Sequence, residues 1–88
     1  MLPIPALATG TVEIAGTEVA FRSLSRDEVV SLAKFGDDTS AAEVFMISRA
    51  CNLPEDDARE WRTKVDARTA GVLLTAVARI SGLATGEA

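Results

Sequence analysis

The chain contains no histidine and no tyrosine, and it has one cysteine and one tryptophan. Without histidine it lacks the side chain most often used as a general base and as a zinc ligand. A single cysteine excludes an intrachain disulfide, and a thiol without a histidine or a local positive field is not typical of a nucleophile. We therefore interpret Cys51 as a small buried hydrophobe. We expect no enzymatic activity, no cofactor and no metal.

Long apolar runs are also absent, and the one dense group of basic residues alternates with acidic Glu60 and Asp66; it consists of Arg59, Arg62, Lys64 and Arg68. No run approaches the ~20 residues that a membrane span needs, and the proline-containing N-terminus lacks the basic region of a signal peptide. The default expectation is therefore the cytoplasm. The net charge is −4 and the other Lys and Arg residues are scattered, which disfavours nucleic acid as a partner. The best candidate for a DNA recognition helix, residues 66–80, is apolar and carries only Arg68 and Arg79, so we set that function aside.

The composition is typical of a small binding domain rich in aliphatic residues. The chain has 88 residues, of which 48% are hydrophobic and only 5% aromatic. A domain of this size buries only about 60–65% of its unfolded surface. We expect residues 1–88 to form one domain that buries further apolar surface against a partner or a second copy of itself.

The first eight residues form an apolar arm. Pro3 and Pro5 exclude a helix and favour an extended path. The apolar side chains Leu2, Ile4 and Leu7 should therefore be docked on something. The sequence leaves two options open, namely this domain and a neighbouring molecule.

Residues 11–22 have the pattern of a β-hairpin. Apolar and polar residues alternate on both sides of Ala15-Gly16, a dipeptide suited to a tight turn. An isolated two-stranded hairpin is not stable in water, so this hairpin should pack on the helices.

Residues 25–82 have helical periodicity, with local signals at the helix ends. Ser25 and Glu28 form a capping box, and Gly36 should end this first helix. We interpret Ser40 and Glu43 as a second capping box, opening a helix that is apolar nearly all round.

The remaining helices show similar signals. Pro54 suits the first turn of a short third helix, which carries Trp61. Asp66 should cap the last helix, and Ser81-Gly82-Leu83 should end it in a Schellman motif. Residues 84–88 read as a loose tail. The predicted fold is α+β, with an N-terminal hairpin packed on three to four helices.

Some apolar residues fit a single buried face poorly, and these are our candidates for partner binding. Trp61 is either a core anchor or a partner hot spot. The full candidate set is Leu2, Ile4, Leu7, Phe35, Met46, Trp61 and Leu74.

The order of these elements resembles the small tail assembly chaperones of long, non-contractile-tailed bacteriophages, especially those of actinobacteria. The resemblance covers about residues 11 to 83. It rests on the hairpin ending Phe21-Arg22-Ser23-Leu24, on Ser25-Arg26-Asp27-Glu28-Val29 opening a helix, on a middle helix, on Trp61, and on the closing run Ala78-Arg79-Ile80-Ser81-Gly82-Leu83. The apolar arm is not part of it.

The resemblance implies a non-enzymatic chaperone that binds the long, helical tape measure protein before the tail tube polymerises around it. It further implies a homo-oligomer in the host bacterial cytoplasm, absent from the mature virion. Other expected partners are a longer, frameshifted form of the chain and the tail tube protein. No nucleic acid or membrane partner is expected.

Two other functions remain open at this stage. One is a structural virion component, such as a small tail or head–tail connector protein. The other is a small host-side adaptor or regulatory domain.

Overall fold

The computed structural model describes residues 1–83, and the tail predicted for residues 84–88 lies outside them. Two antiparallel strands, β1 (Thr9–Ile14) and β2 (Thr17–Arg22), are followed by four helices. These are α1 (Arg26–Leu32), α2 (Thr39–Cys51), α3 (Glu55–Lys64) and α4 (Ala67–Ile80), with one 3-10 turn (Ala33–Phe35) after α1. The predicted α+β fold, with a hairpin before the helices, is confirmed.

The hairpin turns at Ala15 and Gly16, as the sequence predicts. Both residues have positive φ, 53° and 79°, as a type I′ turn requires. The first strand begins two residues earlier than expected, because Thr9 pairs with Arg22 and Gly10 with Phe21. The Phe21 ring lies so close to Gly10 that a Cβ on Gly10 would be 3.0 Å from the ring Cζ atom. A glycine at this position therefore lets the ring cover the strand.

The start of α1 has the predicted capping box. The Glu28 amide donates to Ser25 Oγ at 3.2 Å, and the Ser25 amide donates to Glu28 Oε1 at 2.9 Å. The α-helix ends at Leu32, and the chain continues through the 3-10 turn to Gly36. Gly36, with φ 56°, therefore ends the helical segment one 3-10 turn beyond the end of α1.

The predicted capping box at Ser40 is wrong. Asp38 is the N-cap of α2, and its carboxylate accepts from the Ala41 amide at 3.1 Å. Asp38 precedes Thr39, where the helix begins, so Ser40 already lies inside the first turn. The carboxylate fills the cap position that sequence spacing assigned to a hydroxyl.

Ser48 is a buried polar residue within α2. It is 2% exposed. Its hydroxyl donates to the Leu53 carbonyl at 2.6 Å, where the chain leaves the helix through Asn52 in the left-handed conformation. A buried serine is therefore satisfied by the backbone of the turn that follows its own helix.

The last helix begins and ends as predicted. Asp66 caps it by accepting from the Thr69 amide at 3.2 Å. At its end the Leu83 amide donates to the Ala78 carbonyl, and the Gly82 amide donates to the Arg79 carbonyl. With Gly82 at φ 77°, this is the Schellman motif.

One apolar core joins the hairpin to α2, α3 and α4. Its most buried members are Ile47, Ala58 and Val77, at 0–1% exposure. The other buried apolar residues are Phe21, Leu24, Val44, Ala50 and Leu73. The hairpin thus covers α2 and α4, and α3 packs against α2.

Candidate functional site

The N-terminal arm is the most exposed apolar segment of the described chain. Leu2 is 83% exposed and Ile4 is 90% exposed, whereas Leu7 is partly covered at 44%. Among residues 1–83, the hydrogen bonds that hold the arm lie at its base, where the Ser23 amide donates to the Ala8 carbonyl at 2.7 Å. The Ala8 amide in turn donates to Ser23 Oγ at 3.1 Å. The arm therefore continues the direction of β1 before it leaves the fold.

An open groove lies at the turn end of the hairpin. Its apolar wall is formed by Ile14 and Ala15 from the hairpin and by Trp61 and Val65 from the end of α3. Thr69, in the first turn of α4, closes the far side. The groove has a volume of about 680 Å³. We refer to it as the Trp61 groove.

The rim of the Trp61 groove is mainly acidic. Asp57, Glu60 and Asp66 contribute carboxylates, and Lys64 contributes one ammonium group. The Lys64 ammonium lies 2.8 Å from Glu60 Oε2, so one carboxylate is already paired. Hydrogen bonds from Thr69 lower the pKa of Asp66, which keeps that carboxylate ionised. The groove therefore offers an apolar floor and a negatively charged edge.

Trp61 lies between the core and the groove. It is half-buried and packs against the core cluster, and it also lines the groove. Ile14 and Val65 share the groove but were not among the predicted site residues. Ile14 ends a strand and Val65 follows a helix, so no helical or strand periodicity relates them in sequence.

The other helical candidates lie outside the Trp61 groove. Phe35 packs on Phe45 with ring centroids 5.6 Å apart, and the Arg49 guanidinium lies 4.8 Å from the Phe45 centroid. Met46 and Leu74 are half-buried and pack against the core. Sequence reasoning missed the contribution of Phe45. The i, i+4 spacing of Phe45 and Arg49 was the available signal.

A second, smaller groove of about 340 Å³ separates the start of α2 from α3. It contains Arg59 and Arg62, and none of the predicted partner-binding residues lines it. Arg62 Nε donates to Glu43 Oε1 at 2.7 Å. This ion pair joins α3 to α2 and accounts for the partly buried Arg62 as a structural contact.

Within residues 1–83 no three His, Cys, Asp or Glu side chains come together as a possible metal site. Cys51 is half-buried rather than fully buried, and desolvation raises the pKa of its thiol, which favours the unreactive protonated form. No described helix has the length and apolar character needed to cross a membrane.

Comparison with known proteins gives no family assignment. No protein-family model, curated protein or solved structure matches this chain.

Proposed function

We propose that this chain is a non-enzymatic tail assembly chaperone of a long-tailed bacteriophage, and that it binds the helical tape measure protein in the host cytoplasm. The observation that supports this most directly is the number of large apolar side chains that so small a fold leaves exposed. Besides Leu2 and Ile4, Val30 is 52% exposed and Val72 is 47% exposed. Protein binding is the use that exposed apolar surface most often serves.

We assign binding of the client, the tape measure protein, to the helical part of the protein. Phe35, Met46 and Leu74 each touch the body of the protein and also reach solvent. A flexible thioether and aliphatic side chains adapt to the apolar faces of different amphipathic helices. A chaperone needs such adaptability, because the segments of a long helical client differ along their length.

Co-expression with the client tests this proposal. The chain would be produced together with the long tape measure protein of the same phage, and the client would be measured in the soluble fraction and among co-purifying proteins. We expect more client in the soluble fraction with the chain present than without it. If the client neither stays in solution nor co-purifies, the proposal fails.

Matched substitutions on α4 locate the binding surface. Leu74→Asn removes a half-buried apolar side chain, whereas Thr75→Asn changes an exposed neighbour. We expect Leu74→Asn to weaken client capture several-fold and Thr75→Asn to leave it unchanged, with both variants showing the helical circular dichroism of the parent. Equal capture by the two variants would place the client elsewhere.

Mass spectrometry of purified phage particles separates the proposal from a structural role. A chaperone should be missing from the mature virion. A stoichiometric amount of the chain in the particles would instead favour a tail or connector component.

A further inference from the structure

We propose that the N-terminal arm of one copy of this chain docks in the Trp61 groove of a second copy. The inference is independent of the proposed function, because it concerns the purified protein without a client. It rests on the direction of the arm, its length and its chemistry.

The arm leaves the hairpin at the end opposite to the groove. Ile14 and Ala15 lie in the groove wall at the turn end, whereas Thr9 pairs with Arg22 at the open end. The hydrogen bonds between Ala8 and Ser23 extend the pairing one residue further in the same direction. At about 3.4 Å per residue, Ala8 is about 20 Å from Ile14 along the strand.

The length of the arm prevents it from filling the groove of its own chain. Returning over about 20 Å would use about six of the seven residues that precede Ala8, even if they were fully extended. Only Met1 and Leu2 would then reach the groove, and Pro3, Ile4 and Pro5 would lie along the way. A second copy has no such restriction, because its groove can approach the free end of the arm directly.

The chemistry of the arm matches the groove. Residues 1–12 form the longest stretch of the chain without a charged side chain, so the arm meets the acidic rim without repulsion. Pro3 and Pro5 hold the arm extended before binding, which reduces the entropy lost on docking. Extended proline-containing segments commonly dock on aromatic side chains, and Trp61 provides such a side chain in the groove wall.

Trp61 also provides the assay. It is the only tryptophan, and the chain has no tyrosine, so protein fluorescence excited in the near ultraviolet comes from the groove. We expect dilution of the full-length protein to lower the mass measured by sedimentation and to shift Trp61 emission to longer wavelength in parallel. The doubly substituted arm Leu2→Asp/Ile4→Asp should sediment as a single chain, with red-shifted emission at every concentration.

Two controls keep the test specific. Leu53→Asp introduces the same charge at another exposed apolar position and should leave both mass and emission as in the parent. A synthetic peptide of residues 1–8, added to the arm variant, should shift Trp61 emission to shorter wavelength and saturate. The same peptide carrying Leu2→Asp and Ile4→Asp should produce no shift.

Three results would overturn the proposal. They are a full-length protein that stays monomeric at high concentration, an arm variant that keeps the parental mass, and a peptide that leaves Trp61 emission unchanged. The last result would place the arm on a different surface even if the mass falls.

Discussion

Replacing Glu28 by glutamine should remove most of one acid-sensitive contribution to stability. The Glu28 carboxylate accepts from the Arg22 guanidinium at 2.8 and 2.9 Å and also from the Ser25 amide. The hydrogen bonds from Arg22 are the largest cause of a pKa lowered from 4.5 to about 2. Because the folded-state pKa is depressed, the stabilisation is present above about pH 5 and is lost as the pH falls toward about 2.

The size of the effect follows from this pKa and from the exposure of the ion pair. The difference between the ordinary pKa of Glu28 and its folded-state pKa sets an upper limit of about 3 kcal/mol on the stabilisation. The Arg22 and Glu28 side chains are 32% and 19% exposed, so solvent screening reduces the expected value to about 1–2 kcal/mol. Glutamine can still accept from the Ser25 amide, so Glu28→Gln isolates the charge from the cap.

Urea unfolding of the parent and of Glu28→Gln, at neutral pH and at about pH 3, measures the effect. The parent should lose about 1 kcal/mol more than the variant on acidification. Asp27→Asn, in the same helical turn, is the matched control and should lose as much as the parent. If the parent and Glu28→Gln lose the same free energy of unfolding, the ion pair does not stabilise the fold as argued.

Three further predictions concern stability in urea or on heating. Gly71→Ala, within α4, should stabilise by about 0.5–1 kcal/mol, because Gly71 has nothing within 4 Å of a new Cβ and alanine favours the helix. Gly82→Ala, just beyond the end of α4, should instead destabilise by about 1 kcal/mol because of the positive φ of Gly82; a change of the same sign in both variants would contradict the assigned helix end. Gly10→Ala should destabilise the fold by about 1–2 kcal/mol, because the new Cβ would press on the buried Phe21 ring. An unchanged melting temperature would show that the ring can move aside without cost. Glu13 and Glu18 face each other across the hairpin, so Glu18→Lys should stabilise the fold by about 0.5 kcal/mol. Adding Glu13→Lys should cancel this gain, because two like charges then face each other again. A double variant as stable as the single one would exclude cross-strand repulsion as the cause.

The ends of strands and helices were predictable from sequence where residues close to one another in the chain determine the backbone conformation. The Ala15-Gly16 turn, the Ser25 capping box and the Schellman end at Gly82 each depend on residues within a few positions of one another. Asp38 shows the limit of such patterns, because Asp38 and Ser40 both suit an N-cap and only the start of the helix decides between them. The burial of Ser48 was not predictable, since its partner is a carbonyl beyond the helix end.

The candidate surface was predictable only in part. The two prolines predicted an extended arm, but they left open whether Leu2 and Ile4 pack on their own domain; in the structure both side chains are exposed. The position of Trp61 in a groove depends on how α3 meets the hairpin turn, which is a tertiary contact between residues far apart in sequence. For the same reason, Phe35, Met46 and Leu74 could be recognised as surplus apolar residues but could not be assigned to a common surface.

The hydrogen bond from the Leu24 amide to Ser81 Oγ, at 2.8 Å, connects the exit of the hairpin to the final helix cap. The hairpin packs on α2 and α4, so its buried face lacks half of its support until α4 has been made. During synthesis on the ribosome the hairpin emerges before α4, so Phe21 and Leu24 are not fully covered until residues 67–80 have followed. A chain stopped before residue 67 should therefore remain open and prone to aggregation or proteolysis, because the hairpin is made long before the helix that completes its support.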